Sequence, residues 1–152
     1  MNSGSRLTSS ELGAWRGMLR VHSHLIRTLD AELTATHGLP LRSYEVLLFL
    51  EDAPSRRMRM NELSSSVLLS ASGVSRLVDR LESDGFVRRE RCPADGRGLY
   101  AVLTPAGAAK LQEARTTHLQ GVRRHFLERL DPGELATLSY VWNTVLPGAA
   151  GP

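Results

Sequence analysis

The stretch "SASGVSRLVDRLESDGFVRRE", residues 70–90, carries the reading on which the fold turns. Val74, Leu77, Val78 and Leu81 recur at i, i+3, i+4 and i+7, one face of an α-helix. Ser70 stands one residue ahead, where a hydroxyl can accept a backbone N–H that the helix cannot satisfy itself. Gly85 closes the pattern, so a helix is expected over 71–84. The opposite face presents Ser72, Gly73, Ser75, Arg76, Asp79 and Arg80. Short side chains near the N-terminus let the backbone come close to a groove floor, and the positive end of the helix dipole welcomes phosphate there. From such a close approach Ser72, Ser75 and Arg76 can reach base edges, and Arg is the commonest reader of guanine O6 and N7. The plainer reading of this face is a solvated surface with ordinary arginines.

The neighbouring segments favour the groove. Upstream, Asn61 is expected to cap a short helix over 62–67, with Leu68-Leu69 turning the chain into the helix at 71. Met58 and Met60 flank Arg59 in a brief extended piece. Downstream, residues 86–91 alternate weakly and are rich in charge, an exposed strand. Residues 93–98, "PADGRG", form a turn, and Leu99–Leu103 is the return strand. A helix–turn–helix followed by a two-stranded wing is the winged-helix arrangement, here within a mainly α fold. Arg97 falls at the wing tip, where burial offers nothing. There it suits the minor groove, whose narrow A·T-rich stretches concentrate negative potential. Asp95, two residues earlier, is placed to hold the guanidinium by a charge-assisted bond. The DNA-binding set read from the sequence is thus Ser70, Ser72, Ser75, Arg76, Arg80, Asp95 and Arg97.

Charge supports that set. Eighteen of the nineteen basic residues are Arg, which suits planar, bidentate contacts to phosphate and bases better than Lys does. Residues 56–97 hold nine Arg against six acids, whereas the rest of the 152-residue chain balances to zero. The whole formal excess of +3 therefore lies in the middle, as a nucleic-acid footprint would.

The flanks read as dimerisation helices. Thr8 and Glu11 form a capping box, and Leu12, Trp15, Leu19, His22, Ile26, Leu29 and Leu33 then step by three and four as far as Gly38. A short helix over 41–52 follows. Thr104-Pro105 opens a helix expected to reach Leu130, and a second capping box at Asp131 and Glu134 opens the last helix, which Pro147 stops. Both flanks carry more apolar stripe than one small wing domain covers, which favours a two-fold homodimer delivering two recognition helices about 34 Å apart. The expected organisation is a disordered N-terminus over 1–9, dimerisation helices over 10–40 and 105–147, and a winged helix-turn-helix DNA-binding lobe over 41–104.

Composition narrows the function. The chain is 41% hydrophobic and 23% charged, an ordinary globular balance. No apolar run is long enough to span a bilayer and no export signal opens the chain, so a cytoplasmic protein with no membrane partner is expected. Cys92 is the one cysteine, which fits a reducing compartment; Arg91 beside it would favour its thiolate, and the two readings of the thiol are an oxidant sensor and a bystander. His22 and His24 lie on different faces of one helix, and His118 and His125 lie two turns apart, so no metal and no cofactor is expected. No phosphate loop, nucleophile motif or metal-chelating motif is present, which argues against an enzyme.

In its motifs the chain resembles the MarR family of winged-helix transcriptional regulators. They are Asp95-Gly96-Arg97 on the wing, Leu103-Thr104-Pro105-Ala106-Gly107 opening the next helix, and "RLVDRLESDGFVRRE" over 76–90; the order of elements agrees over roughly 10–146. Where the family often has a second Arg between the wing Asp and Arg, this chain has Gly96. The resemblance implies a homodimer with interleaved terminal helices that binds double-stranded DNA at a near-palindromic operator, usually as a repressor. It also implies release by a small aromatic effector, for which Trp15, His22, Tyr44 and His118 are the residues suitably placed on their helices. The plainer reading of both histidines is hydrogen-bonded groups in or beside the dimer core. Two alternatives stay open: a metal- or thiol-sensing repressor, and a winged-helix module that docks proteins.

Overall fold

The structure, a computed structural model, describes residues 6–94, 96 and 98–151. Among these residues six α-helices and three strands run in the order α1 (Ser9–His37), α2 (Leu41–Asp52), β1 (Arg57–Arg59), α3 (Met60–Ser66), α4 (Ala71–Ser83), β2 (Val87–Arg91), β3 (Leu99–Leu103), α5 (Pro105–His125) and α6 (Pro132–Val145). They form two compact units, one of residues 26–118 and the other of the chain before and after it; α1 and α5 contribute a segment to each.

The 26–118 unit holds the core. Val74, Leu77, Val78 and Leu81 are buried along one side of α4, as their spacing requires. They lie in a core with Tyr44, Val46, Leu47 and Leu50 of α2, Leu63 of α3, Val87 of β2 and Ala101–Leu103 of β3. Leu29 and Leu33 of α1 and Leu111 and Ala114 of α5 are buried as well, so this unit draws on both long helices and is larger than the 41–104 lobe read from the sequence. Each fully buried Leu or Val contributes about 1.5–3 kcal/mol of apolar burial.

The sheet has three antiparallel strands in the order β1-β3-β2, not two. The extended piece around Met58 pairs with β3, Arg57 opposite Val102 and Arg59 opposite Tyr100, while β2 pairs with the other side of β3 from Val87↔Leu103 to Arg91↔Leu99. Beside β1, α3 starts at Met60 instead of Glu62. Glu62 reaches back to the Arg59 N–H (3.0 Å), and Asn61 Oδ1 accepts the Glu62 N–H (2.9 Å) from inside the first turn, so Asn61 is not the flanking cap.

A joint at residues 85–107 fixes the sheet against the helices. Thr104 Oγ1 donates to Gly85 O (2.6 Å) and accepts the Gly107 N–H (3.0 Å), while Thr104 N–H donates to Phe86 O (3.1 Å). Gly107 passes so close that a Cβ there would meet Phe86 O at 2.1 Å, which explains the glycine in "LTPAG" without any appeal to turn geometry.

In the other unit both capping boxes form. Thr8 N–H (2.7 Å) and Thr8 Oγ1 (2.9 Å) donate to the Glu11 carboxylate and hold it below its usual range, and the Glu11 N–H returns to Thr8 Oγ1 (3.3 Å). Asp131 and Glu134 exchange the corresponding pair at 2.9 Å each. The helix expected to reach Leu130 ends at His125: Phe126 leaves the helical region (φ −132°, ψ −64°) and Leu127–Arg129 form a single 3₁₀ turn. No side chain of α6 is buried within the chain, and Trp15 is 53% and Tyr140 73% exposed. No helix among the described residues is long and apolar enough to cross a membrane.

Candidate nucleic-acid interface

Helix α4 begins where its local chemistry dictates. Ser70 Oγ accepts the Gly73 N–H (3.1 Å) and shares a hydrogen bond with Ser72 Oγ (3.2 Å), so the hydroxyls of the first turn are already ordered. With its core side turned inward, α4 leaves Ser70, Ser72, Arg76, Asp79 and Arg80 exposed. The sequence-derived residues Ser70, Ser72, Arg76 and Arg80 are therefore brought onto one helix. Ser75 is half-buried, and its backbone O (3.1 Å) and Oγ (3.5 Å) both face Arg89 Nη2. Asp95 and Arg97 lie outside the described residues.

Arg89 is a side chain at this face that periodicity did not single out. From β2 its guanidinium reaches Asp79 (2.8 Å) and Glu82 (2.7 Å), and its own N–H donates to the second Glu82 oxygen (3.0 Å). The arrangement does two things. It fastens the sheet to α4 at three successive turns, and it pairs the two carboxylates that would otherwise oppose a polyanion along this face. Arg42 is a second such residue. At the start of α2 its Nη1 donates to Val67 O (3.1 Å) in the turn before α4 and to Glu45 (3.0 Å). Arg89 entered the sequence reading only as one of the nine arginines of residues 56–97, and Arg42 lies outside that range; the Val67 partner of Arg42 and the Ser75, Asp79 and Glu82 partners of Arg89 are set by tertiary packing.

The sheet carries further guanidinium groups. Arg57 lies over the Tyr100 ring (4.7 Å from its centroid) and Arg59 beside it (5.6 Å). Arg59 also donates to Cys92 Sγ (3.3 Å), and the thiol lies 3.7 Å from the Tyr100 hydroxyl. Cys92 is 4% exposed. The guanidinium that donates to its sulfur is that of Arg59, while Arg91 is exposed.

The residues expected around an effector divide between the units. Tyr44 and His118 come together, their ring centroids 4.6 Å apart and tilted by 35°. Tyr44 is buried and accepts from Arg115, which also pairs with Glu51; burial is the main reason its hydroxyl is held above the usual range, against the pull of Arg115. Burial likewise pushes the His118 imidazole below its ordinary 6.5, with Glu45 opposing, and its Nδ1 has no partner among the described residues. Trp15 and His22 belong to the other unit, and both are exposed within the chain. Among the described residues no three His, Cys, Asp or Glu side chains are grouped to hold a metal ion.

Known proteins share this architecture. The family model described as "MarR family" matches residues 37–98. Sco3205, a MarR family transcriptional regulator from Streptomyces coelicolor solved in complex with DNA, is 36% identical with a TM-score of 0.87, over 94% of this chain and 90% of that one. AbsC, a MarR family transcriptional regulator from the same organism, is 36% identical with a TM-score of 0.85, over 92% of this chain and 94% of that one. The multiple antibiotic resistance protein MarR of Salmonella typhimurium is 31% identical over 86 residues, so the match spans 57% of this chain and only 60% of that curated relative. A serine-capped, arginine-faced α4 joined to an antiparallel sheet, together with matches at this identity over nearly the whole chain, makes it a member of the MarR family.

Proposed function

We propose that this chain is a DNA-binding transcriptional repressor that acts as a homodimer on a near-palindromic operator and is released by a small aromatic effector. The observation that carries the DNA-binding reading is the exposed face of α4, where ordered serine hydroxyls stand at the helix start and Arg76 and Arg80 follow one turn apart. A face of this kind fits the major groove, with Ser72 and Arg76 at base edges and Arg80 toward phosphate, while Ser70 holds the helix start that presents them. Asp95 and Arg97 keep their proposed role at the minor groove on the strength of their place in the sequence. The regions 10–40 and 105–147 are proposed to dimerise, since the apolar side chains of the terminal segments lack cover within one chain. Effector release rests on the Tyr44–His118 pair, a buried tyrosine ring against a half-buried imidazole whose Nδ1 has no partner among the described residues, which suits a planar ligand bearing a hydrogen-bonding group.

Selection of duplexes from a randomised DNA pool, followed by mobility-shift titration at two salt concentrations, tests the central claim. The expected result is enrichment of a near-palindromic sequence whose affinity falls steeply with salt. A chain that retains no duplex even in dilute buffer, while capturing protein partners, would place it with the winged-helix docking modules instead. Sensitivity of the complex to chelators or peroxide would favour the metal- or thiol-sensing alternative.

A further inference from the structure

A groove of about 560 Å³ opens beside the start of α4, lined by Arg42, Leu69, Gly73, Arg76, Leu77, Asp79 and Arg80. Three guanidinium groups from two helices thus border one space. Among the described residues Asp79 is the one carboxylate lining it, and it is paired with Arg89 at 2.8 Å. Gly73, in the first turn of α4, lines it without a side chain. Arg42 comes from α2, outside the helix–turn–helix, and sits at the groove by construction: Nη1 is held by Val67 O and Glu45, while the side chain remains 49% exposed. A guanidinium fixed on one nitrogen and open on the rest is pre-organised to receive an anion and loses little side-chain freedom when one arrives.

We infer that this groove is a seat for a backbone phosphate of duplex DNA and that Arg42 is a phosphate-positioning residue. The inference rests on the DNA-binding reading above and deepens it. Arg76 and Arg80 project from the helix proposed to enter the major groove. A phosphodiester in the groove would be gripped from α2 and α4 together, fixing the depth and angle at which α4 enters. Such a contact sets register without reading sequence. It assigns Arg42 a role distinct from Arg76: affinity and salt dependence, not base preference.

The test compares the parent with Arg42→Gln and Arg42→Lys on the selected duplex, across a salt series. Gln keeps a donor for Val67 O but lacks charge; Lys restores charge. Each lost phosphate contact lowers the slope of log affinity against log salt by about 0.9, doubled to roughly 1.8 if two subunits bind. The expected result is that lower slope for Arg42→Gln, its recovery in Arg42→Lys, and unchanged base preference in both. A merely structural role for Arg42 would weaken binding at every salt concentration and leave the slope alone, which overturns the inference. So does an unchanged slope accompanied by a phosphate-induced rise in melting temperature that Arg42→Gln abolishes, since the groove would then serve a free anion. Failure of the parent itself to bind any duplex overturns the DNA-binding reading and the inference with it, whereas a binding parent with an indifferent Arg42 overturns the inference only.

Discussion

Individual side chains on α4 divide into those that order the helix and those left free to act. Ser70 belongs to the first group, its hydroxyl committed to the Gly73 N–H, and Arg76 to the second, exposed and at the lip of the groove. Replacing Arg76 with Ala is therefore expected to relax base preference at one position per half-site, a loss of about 1–3 kcal/mol of discrimination, with little change in stability. Selection on a randomised pool with the variant checks it, and an identical preferred sequence would remove Arg76 from the reading set. His118 makes a different prediction. Burial favours its neutral form in the folded chain, whereas in the unfolded chain it titrates near its ordinary 6.5. Stability is thus unaffected by this group above 6.5 and falls as pH drops below it towards the depressed folded value, because the unfolded state then takes up the proton first. His118→Phe, which keeps an aromatic ring against Tyr44, should flatten that part of the profile when urea midpoints are compared at pH 5 to 7.5; parallel curves for parent and variant would show that His118 titrates normally. Of these residues, the Ser70 cap was legible because its bond spans three positions. Arg89 was not, because its partners Ser75, Asp79 and Glu82 lie seven to fourteen positions away and are met only through the turn between α4 and β2.

Elements divide in the same physical way. Helices α1, α2, α4 and α6 start where caps or prolines in the sequence put them, since capping is a contact within one turn. Strand β1 was seen only as a short extended piece. Three residues carry no alternation to speak of, and they become a strand because β3 offers an unpaired edge some forty residues later. The end of α5 was missed for the opposite reason: neither glycine nor proline stands at Phe126, so propensity alone would continue the helix to Leu130. The basic last turn, Arg123, Arg124 and His125, suits a C-terminus and was the one cue available. The joint between Gly85 and Gly107 gives the element scale its prediction. A methyl group at residue 107 would fall 2.1 Å from Phe86 O and 2.9 Å from Leu103 Cδ1, and backbone cannot step aside as a flexible side chain does. Gly107→Ala should destabilise the chain by about 1–3 kcal/mol, despite the better helix propensity of Ala, by forcing α5 away from the sheet. Chemical denaturation measures it; a variant as stable as the parent would mean that the approach of α5 to Phe86 is looser than described.

At the scale of the molecule, apolar exposure distinguishes the terminal unit and net charge does not. Residues 56–97 carry +3, but the 26–118 unit as a whole holds thirteen basic and twelve acidic residues and the other unit six and four; that other unit exposes Trp15, Leu19, Val21, Tyr140 and Val145 and buries none of them. The alternating stripe of α1 was legible in full, but the sequence could not tell which half would be covered by its own chain: Leu29 and Leu33 are, Trp15 and Leu19 are not. Isolated apolar residues on a surface are ordinary, whereas a run of them on the terminal helices calls for a partner, and a second copy of the same chain closes the arrangement by symmetry. Pairing also changes how DNA would be held. Once one lobe engages a half-site, the second meets its own at a high effective concentration, which raises affinity about 10²- to 10⁴-fold without any new contact. Leu19→Arg, exposed in the chain and far in sequence from α4, should shift the protein to monomers in sedimentation while leaving its circular dichroism in place. That variant should still bind a single half-site as the parent does, and bind the full operator at least about a hundredfold more weakly. A parent chain that sediments as a monomer yet binds the full operator at undiminished affinity would mean that the exposed stripe serves some other contact, and that each lobe reads its half-site alone.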